Sequence, residues 1–322
     1  MTMRYDISKL IQQIRSGDSQ ALSKLISFVE NNSEYTPKII KGIYPYLGKS
    51  FRLGITGPLG AGKSTLIDKL MSLMRNDGLS IGAICVDPSS PFTGGAVLGD
   101  RIRMTQHYLD PAIFIRSMAT RDSIGGLPKA VGNVVKLMDA FCKDVTLIET
   151  VGIGQTQYDI LQHADTVVVV LVPEAGDAVQ TMKAGLMEIA DIFVVNKADR
   201  PGAEDMVSSL FASFVAKDDT KQILTTVAVN EVGIKELYEQ INQHHLASIQ
   251  NGKFEERRRK QRRQEFISII NETVINRLLN LMEKDARLTK QLSMIDNGKI
   301  DPYTCAEIVL RGDFIKNWAT HL

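Results

Sequence analysis

The sequence predicts an α/β protein with a doubly wound, mostly parallel sheet and helical extensions at the amino and carboxyl ends. Short apolar, β-branched runs alternate with helix-length segments through the middle of the chain, and both ends show only helical periodicity. Strands that alternate with helices are typical of parallel sheets covered on both faces. The predicted strands are residues 51–56, 81–86, 113–116, 145–148, 166–172, 192–195 and 223–229.

The helical extensions set the predicted domain boundaries. Residues 5–47 are mostly helix-periodic, with a break at Ser16-Gly17-Asp18. After about Gly252 the strand signals stop, and two long helical stretches follow at residues 253–290 and 301–319. The predicted division is a helical extension at 1–48, a main domain at 49–250 and a helical arm at 251–322.

Composition argues against several classes of protein. The 322 residues are 44% hydrophobic and 23% charged with a formal net charge of +1, which gives no general attraction to nucleic acid or membrane surfaces. The longest apolar stretch, residues 167–173, has the length of a strand, and residues 1–10 show no apolar signal region. Three widely separated cysteines, Cys85, Cys142 and Cys305, form neither a disulfide framework nor a metal cluster. We expect a cytoplasmic protein without nucleic-acid or membrane partners.

A glycine-rich segment between the first predicted strand and a helix-periodic stretch matches the P-loop pattern G-x-x-x-x-G-K-[ST]. In this context, backbone N–H groups point at nucleotide oxygens and the helix N-terminus adds positive potential. Lys63 is predicted to reach the β and γ phosphates, and the Ser64 hydroxyl to bind Mg²⁺. The predicted nucleotide contacts here are Gly57, Pro58, Leu59, Gly60, Ala61, Gly62, Lys63, Ser64 and Thr65. The main domain is therefore predicted to be a P-loop NTPase.

A second motif, Asn196-Lys197-Ala198-Asp199, follows a predicted strand at the edge where open α/β sheets bind ligands. The Asp199 carboxylate can accept hydrogen bonds from guanine N1–H and the 2-amino group, whereas adenine would leave it unpaired. Asn196 is expected to buttress the loop, and the Lys197 stem to cover one face of the base. The motif therefore predicts GTP and GDP as the bound nucleotides.

Three acidic residues follow predicted strands or loops between these motifs and are the candidate Mg²⁺ ligands, together with Ser64. Asp87 directly follows the strand at 81–86, and Asp100 follows a Gly/Ser/Pro-rich loop at 88–95. Glu149 opens Glu149-Thr150-Val151-Gly152, which has the form of a switch whose glycine N–H senses the γ-phosphate. Helix caps or turn formers remain alternative roles for these three acids.

Six short segments carry a more specific resemblance. They are Asp87-Pro88-Ser89-Ser90, Gly94-Gly95-Ala96-Val97-Leu98-Gly99-Asp100-Arg101, Phe114-Ile115-Arg116, Gly125-Gly126-Leu127, Glu149-Thr150-Val151-Gly152-Ile153-Gly154-Gln155 and Asn196-Lys197-Ala198-Asp199. Together they resemble the methylmalonyl-CoA mutase-associated GTPases of the MeaB/ArgK type. Matching motifs run over residues 51–237, and the helical segments at both ends also resemble those of the family.

The resemblance implies a G-protein chaperone of an adenosylcobalamin-dependent acyl-CoA mutase such as methylmalonyl-CoA mutase. It further implies that GTP hydrolysis is coupled to cofactor loading and protection, and that the protein is a homodimer through its C-terminal helices. The family's Mg²⁺ acids match Asp87, Asp100 and Glu149. Its third switch matches residues 174–185, which include Asp177, Gln180 and Lys183, and its guanine-contacting loop matches Ala228, where Val227 replaces the usual serine.

Hydrolysis by such a site needs positioning and charge neutralisation more than a strong base. The candidate catalytic residues are Lys63, Glu149, Gln155, which would orient water, and Lys183, which would carry the signal from the partner. No arginine finger in the chain is obvious, so we expect slow hydrolysis that a partner accelerates. The arginines that lie in candidate switch segments are Arg101, Arg103, Arg116 and Arg121.

Three other functions remain open. A metallochaperone GTPase shares the nucleotide chemistry but should carry a His/Cys cluster. An ATP-dependent transport kinase conflicts with Asp199. A nucleotide-sensing scaffold without turnover is the third.

Two further features favour ordinary structural roles. The charged run at 255–263 is interpreted as a solvated helix with i,i+4 ion pairs in preference to a site for an anionic partner. His244-His245 is interpreted as surface helix in preference to a metal site.

Overall fold

The computed structural model describes residues 5–87, 104–119, 130–150, 159–175, 188–215, 221–284 and 286–311. Contacts divide the chain into two compact units, and the boundary between them lies between Gln261 and Arg262. None of the helices in these ranges is both long enough and apolar enough to cross a membrane.

The first unit is built on a seven-stranded sheet in the order β3-β2-β4-β1-β5-β6-β7. Its strands are β1 (Phe51–Thr56), β2 (Ile81–Asp87), β3 (Ile113–Ala119), β4 (Val145–Glu149), β5 (Thr166–Leu171), β6 (Ile192–Asn196) and β7 (Gln222–Thr226). All neighbouring strands pair in parallel, so the predicted doubly wound sheet is confirmed. The last strand ends earlier than predicted, because the chain turns into a 3-10 helix at Ala228–Asn230.

Helices cover both faces of this sheet. One face carries α1 (Ile7–Arg15), α2 (Ser19–Glu30), α3 (Thr36–Ile43), α5 (Ala130–Ala140) and α6 (Ala203–Val215); the other carries α4 (Lys63–Asn76) and α7 (Ile234–Gln250). Two apolar cores result, one against each face. Because both faces are buried, β5 and β6 are nearly continuous apolar runs and not alternating ones. The amino-terminal helical extension is thus packed into the same compact unit as the sheet.

The longest helix, α8 (Lys253–Lys284), begins in the first unit and continues into the second. The second unit also contains α9 (Ala286–Asp296) and α10 (Pro302–Arg311). Large apolar side chains of α8 are exposed, at Phe266, Ile267, Ile269, Ile270, Val274, Ile275 and Leu279.

The first turns of α8 contradict part of the prediction for the charged run. The expected i,i+4 pair is present between Lys260 and Glu256, at 2.9 Å. Arg258, however, is buried: its Nε and Nη2 atoms donate to the two carboxylate oxygens of Asp165 at 2.9 and 2.7 Å. Arg257 donates to both oxygens of Asp191 at 2.7 and 2.9 Å. The prediction failed because charge spacing within a helix does not reveal carboxylates supplied by other segments.

The paired histidines of α7 are also more buried than a surface helix implies. His244 Nδ1 lies 2.9 Å from the Thr166 hydroxyl, and the His245 ring packs on Phe51 with centroids 4.1 Å apart. Desolvation lowers the pKa of both imidazoles. Within the ranges that the structure describes, no three His, Cys, Asp or Glu side chains are placed to share a metal.

Candidate nucleotide-binding site

The loop between β1 and α4 has a backbone that only glycine supports. Gly57, Gly60 and Gly62 have φ of 143°, 78° and 85°. A Cβ on Gly57 would lie 2.0 Å from the Val170 carbonyl oxygen, and one on Gly62 would lie 2.4 Å from Asn196 Nδ2. Gly57 and Gly62 therefore satisfy both an unusual backbone conformation and a close approach to neighbouring segments, whereas Gly60 is required by its backbone conformation alone.

Lys63 is the first residue of α4 and is only 7% exposed. Its Nζ donates to the carbonyl oxygens of Gly57 and Pro58, each at 3.0 Å. The ammonium group therefore lies against the loop, at the N-terminus of a helix whose dipole adds positive potential. Leu59, at the tip of the loop, is 76% exposed.

Two of the predicted metal acids end neighbouring strands. Asp87 is the last residue of β2 and Glu149 the last of β4, and both are buried. The Ser64 hydroxyl donates to Glu149 Oε1 at 2.7 Å. A hydroxyl and two carboxylates are the hard oxygen ligands that Mg²⁺ prefers, so the donor set fits the ion. The fourth predicted ligand, Asp100, lies outside the described residues.

Asn196 joins the base motif to the phosphate loop. Its Nδ2 donates to the Ala61 carbonyl oxygen at 2.8 Å, which is the expected buttressing contact. Its Oδ1 accepts from the Thr226 hydroxyl at 3.0 Å and from the Ala228 N–H at 3.1 Å. Asn196 is 2% exposed, so these bonds form in a buried setting and hold three segments in a fixed arrangement.

The remaining base-motif residues lie nearer the surface. Lys197 has a φ of 58°, a left-handed conformation that is uncommon outside glycine. The Asp199 side chain is exposed to solvent. The neighbouring Arg200 forms an ion pair with Glu174, which follows β5. This pair links the base motif to the first residue of the proposed third switch.

A second link joins the base side of the site to the phosphate side. Lys69 of α4 forms a hydrogen-bonded ion pair with Glu231, with 2.8 Å between Nζ and Oε1. The hydrogen bond to the carboxylate raises the pKa of Lys69. Glu231 has a φ of 59° and follows the 3-10 turn that contains Ala228. The turn is therefore attached both to Asn196 and to the phosphate helix.

Several candidate residues are not brought to the site by the structure. Gln155 and Lys183 lie outside the described residues, as do Arg101, Arg103 and Arg121. Arg116 lies on β3, and its guanidinium pairs with Glu30 of α2. That contact holds the Arg116 guanidinium against the amino-terminal helices, which argues against a role for Arg116 as an arginine finger.

Sequence reasoning also missed residues that shape the site. Thr226 bonds to Asn196, and Thr150 donates to the Thr56 hydroxyl at 2.7 Å. Each of these threonines stands at a strand end beside a motif residue, and that position is the only local signal of its role. The contacts themselves join segments far apart in sequence, which periodicity cannot detect.

Comparison with known proteins agrees with this geometry. A family model described as methylmalonyl Co-A mutase-associated GTPase MeaB matches residues 22–283. A Pyrococcus horikoshii protein named as a GTPase, PH0274, is 48% identical over 314 residues, covering 94% of this chain and 97% of that protein. The fused isobutyryl-CoA mutase of Cupriavidus metallidurans is 39% identical over 200 residues, covering 61% of this chain and 18% of that protein.

A solved structure, described as a LAO/AO transport system kinase, superposes with a TM-score of 0.69 and 24% sequence identity. It covers 98% of this chain and 100% of the other, which supports the fold. The family match confirms the resemblance carried by the motifs. The chain therefore belongs to the methylmalonyl-CoA mutase-associated GTPase family, and it is a P-loop GTPase that binds guanine nucleotide.

Proposed function

We propose that this GTPase is a chaperone of an adenosylcobalamin-dependent acyl-CoA mutase, and that it couples GTP binding and hydrolysis to loading and protection of the cofactor. The observation that carries the proposal is the match to a mutase-associated family over residues 22–283. A relative that is named as a fused isobutyryl-CoA mutase supports it, because a similar segment there belongs to the same polypeptide as a mutase.

In this proposal, described residues bind the nucleotide and take part in its hydrolysis. The loop N–H groups and Lys63 hold the phosphates, and Asp199 selects guanine. Ser64, Asp87 and Glu149 would hold Mg²⁺, which would supply positive charge against the phosphates. The buried hydrogen bond between Ser64 and Glu149 keeps the hydroxyl and the carboxylate together on the phosphate side of the site.

Three residues outside the described ranges complete the proposal. Asp100 would be a further Mg²⁺ ligand, and Gln155 would orient the attacking water. Lys183, in the segment that follows Glu174, would respond to the mutase. A partner that distinguishes the GTP and GDP states must act through a segment with two arrangements, and such coupling is typically about 1 to 3 kcal/mol.

We also propose that the protein is a homodimer through α8. Phe266, Ile270 and Val274 are spaced by four residues and lie on one side of that helix, and all three are exposed. An apolar helical stripe of this length is unfavourable in water, and a second copy would bury it. Analytical ultracentrifugation of the chain and of Ile270→Glu tests the proposal, which predicts a dimer for the first and a monomer for the second.

The chaperone proposal is tested by GTP turnover measured alone and with a saturating adenosylcobalamin-dependent acyl-CoA mutase. We expect the mutase to accelerate turnover and Lys183→Ala to lose most of that acceleration. Lys63→Ala, which should not bind triphosphate tightly, controls for contaminating hydrolases. Turnover that no adenosylcobalamin-dependent mutase changes, with no complex detected by co-purification, would contradict the proposal.

A further inference from the structure

The last residue of β4, Glu149, and the residue that follows it, Thr150, contact opposite ends of the phosphate loop. Thr150 Oγ1 donates to Thr56 Oγ1 at 2.7 Å, and Thr56 is the last residue before the loop. Glu149 Oε1 accepts from Ser64 Oγ at 2.7 Å, and Ser64 follows the loop as the second residue of α4. The dipeptide Glu149-Thr150 therefore fastens both ends of the loop to one strand.

The contact between the two threonines is buried. Thr56 is 0% exposed and Thr150 1% exposed. Ile55 and Glu149 are partners in the β1–β4 pairing, and the Thr150 N–H donates to the Ile55 carbonyl oxygen at 3.2 Å. The hydroxyl pair thus extends the strand pairing by one residue, so that Thr150 is held by both its backbone and its side chain.

From this arrangement we infer that Thr150 is a positioning residue for the metal carboxylate. Ser64 and Glu149 are both proposed Mg²⁺ ligands, whereas the hydrogen bond between Thr150 and Thr56 involves no proposed ligand. Thr150 then fixes the backbone from which the Glu149 side chain projects. The inference rests on the proposed magnesium site and names the contact that keeps this site in register with the phosphate loop.

The same two strands contain a matched control. At their amino ends, Ser50 Oγ and Thr146 Oγ1 lie 2.9 Å apart and are both fully buried. This pair resembles the Thr56–Thr150 pair in chemistry and burial. At the usual rise per residue of a strand, the two pairs lie about 15 Å apart. Loss of either pair should destabilise the fold similarly, and only loss of the pair beside Glu149 should alter the response to Mg²⁺.

The experiment compares Thr150→Val, Thr150→Ser and Thr146→Val with the wild-type chain. GDP affinity, measured with a fluorescent analogue, and GTP turnover are each followed over a Mg²⁺ titration. Since one hydrogen bond typically corresponds to a factor of about 2 to 10, we expect Thr150→Val to raise the half-saturating Mg²⁺ concentration about fivefold and to slow turnover. Thr150→Ser and Thr146→Val should both stay within about twofold of wild type.

A Thr150→Val protein with the Mg²⁺ dependence of Thr146→Val would overturn the inference. If Thr150→Val does not fold, Thr56→Val removes the same hydrogen bond from the acceptor side and must produce the same shift. The proposed metal site is tested separately by the wild-type chain. If nucleotide binding and turnover of the wild-type chain do not depend on Mg²⁺, the proposed metal site is wrong, and so is this inference.

Discussion

The two edges of the sheet, formed by the carboxyl ends and the amino ends of its strands, use largely buried carboxylates for opposite purposes. At the carboxyl edge, Asp87 and Glu149 end their strands, and Glu149 accepts a hydrogen bond from Ser64 at the end of the phosphate loop. At the amino edge, Asp139, Asp165 and Asp191 accept hydrogen bonds from backbone N–H groups elsewhere in the chain. Charge alone does not separate the two groups; the amino-edge carboxylates are distinguished by the backbone N–H and arginine groups that donate to them.

The donors at the amino edge are numerous and well directed. Asp139 accepts three backbone N–H bonds, from Gly48, Lys49 and Ser50. Asp165 accepts the Arg52 N–H at 2.9 Å in addition to the fork of Arg258. A bidentate pair of this kind fixes geometry as well as charge. The amino edge is therefore closed, whereas the donor set at the carboxyl edge suits a metal and a triphosphate.

The largest expected effect tests the closed edge. Arg258→Ala would leave Asp165 buried without its main partner, and breaking such a pair typically costs about 3 to 5 kcal/mol of unfolding free energy. Urea denaturation measures the loss, with Lys260→Ala as the control, because its pair with Glu256 is exposed to solvent and contributes little to stability. Equal denaturation midpoints for the two variants would show that the amino edge does not depend on this pair.

A second expectation concerns pH at the same edge. His163 precedes β5, and its ring packs so closely on α5 that a Cβ at Gly132 would lie 2.8 Å from it. Burial lowers the pKa of His163 to about 4 from the ordinary 6.5. The unfolded chain takes up the proton first, so stability present above pH 6.5 is lost as the pH falls towards 4, by about 3 kcal/mol in total.

Urea midpoints measured from pH 7 to pH 4 test this expectation. Asp and Glu residues also titrate in this range, and the lowered pKa values of His244 and His245 act in the same direction. The relevant quantity is therefore the difference in urea midpoint between wild type and His163→Gln. This difference should become smaller as the pH falls. A constant difference would mean that the imidazole titrates normally in the folded protein.

The smallest expected change in stability, with a clear change in binding, comes from the carboxyl edge. Asp199 is exposed, so Asp199→Asn should alter the unfolding free energy by less than about 0.5 kcal/mol. It should weaken GTP by about 1.5 to 3 kcal/mol and improve binding of xanthosine triphosphate, whose 2-oxo group needs a donor. Calorimetric titration with both nucleotides checks this. Asp205→Asn, at an exposed position of α6, is the control, and unchanged GTP affinity in Asp199→Asn would refute the base assignment.

The sequence predicted the carboxyl edge far better than the amino edge. Glycine spacing, Lys63 and Asn196 belong to local motifs whose chemistry can be read from neighbouring residues. The end of β7 was misplaced because β-branched residues continue through Val227, although the chain has already turned. The roles of Arg258 and Thr150 depend on partners about 90 residues away. The local sequence pattern contains no information about such contacts, because they form only when distant segments come together in the folded chain.

The continuity of α8 has a consequence for attempts to divide the protein. Boundaries between compact units usually fall in exposed linkers, where proteases cut. Here the boundary at Gln261 and Arg262 lies inside a helix of 32 residues, about 48 Å long at the usual rise. A protease that needs an extended substrate finds none at that point. Limited digestion should therefore leave this junction intact, and a fragment designed to end at residue 261 would lose the continuation of the helix that holds its last turn.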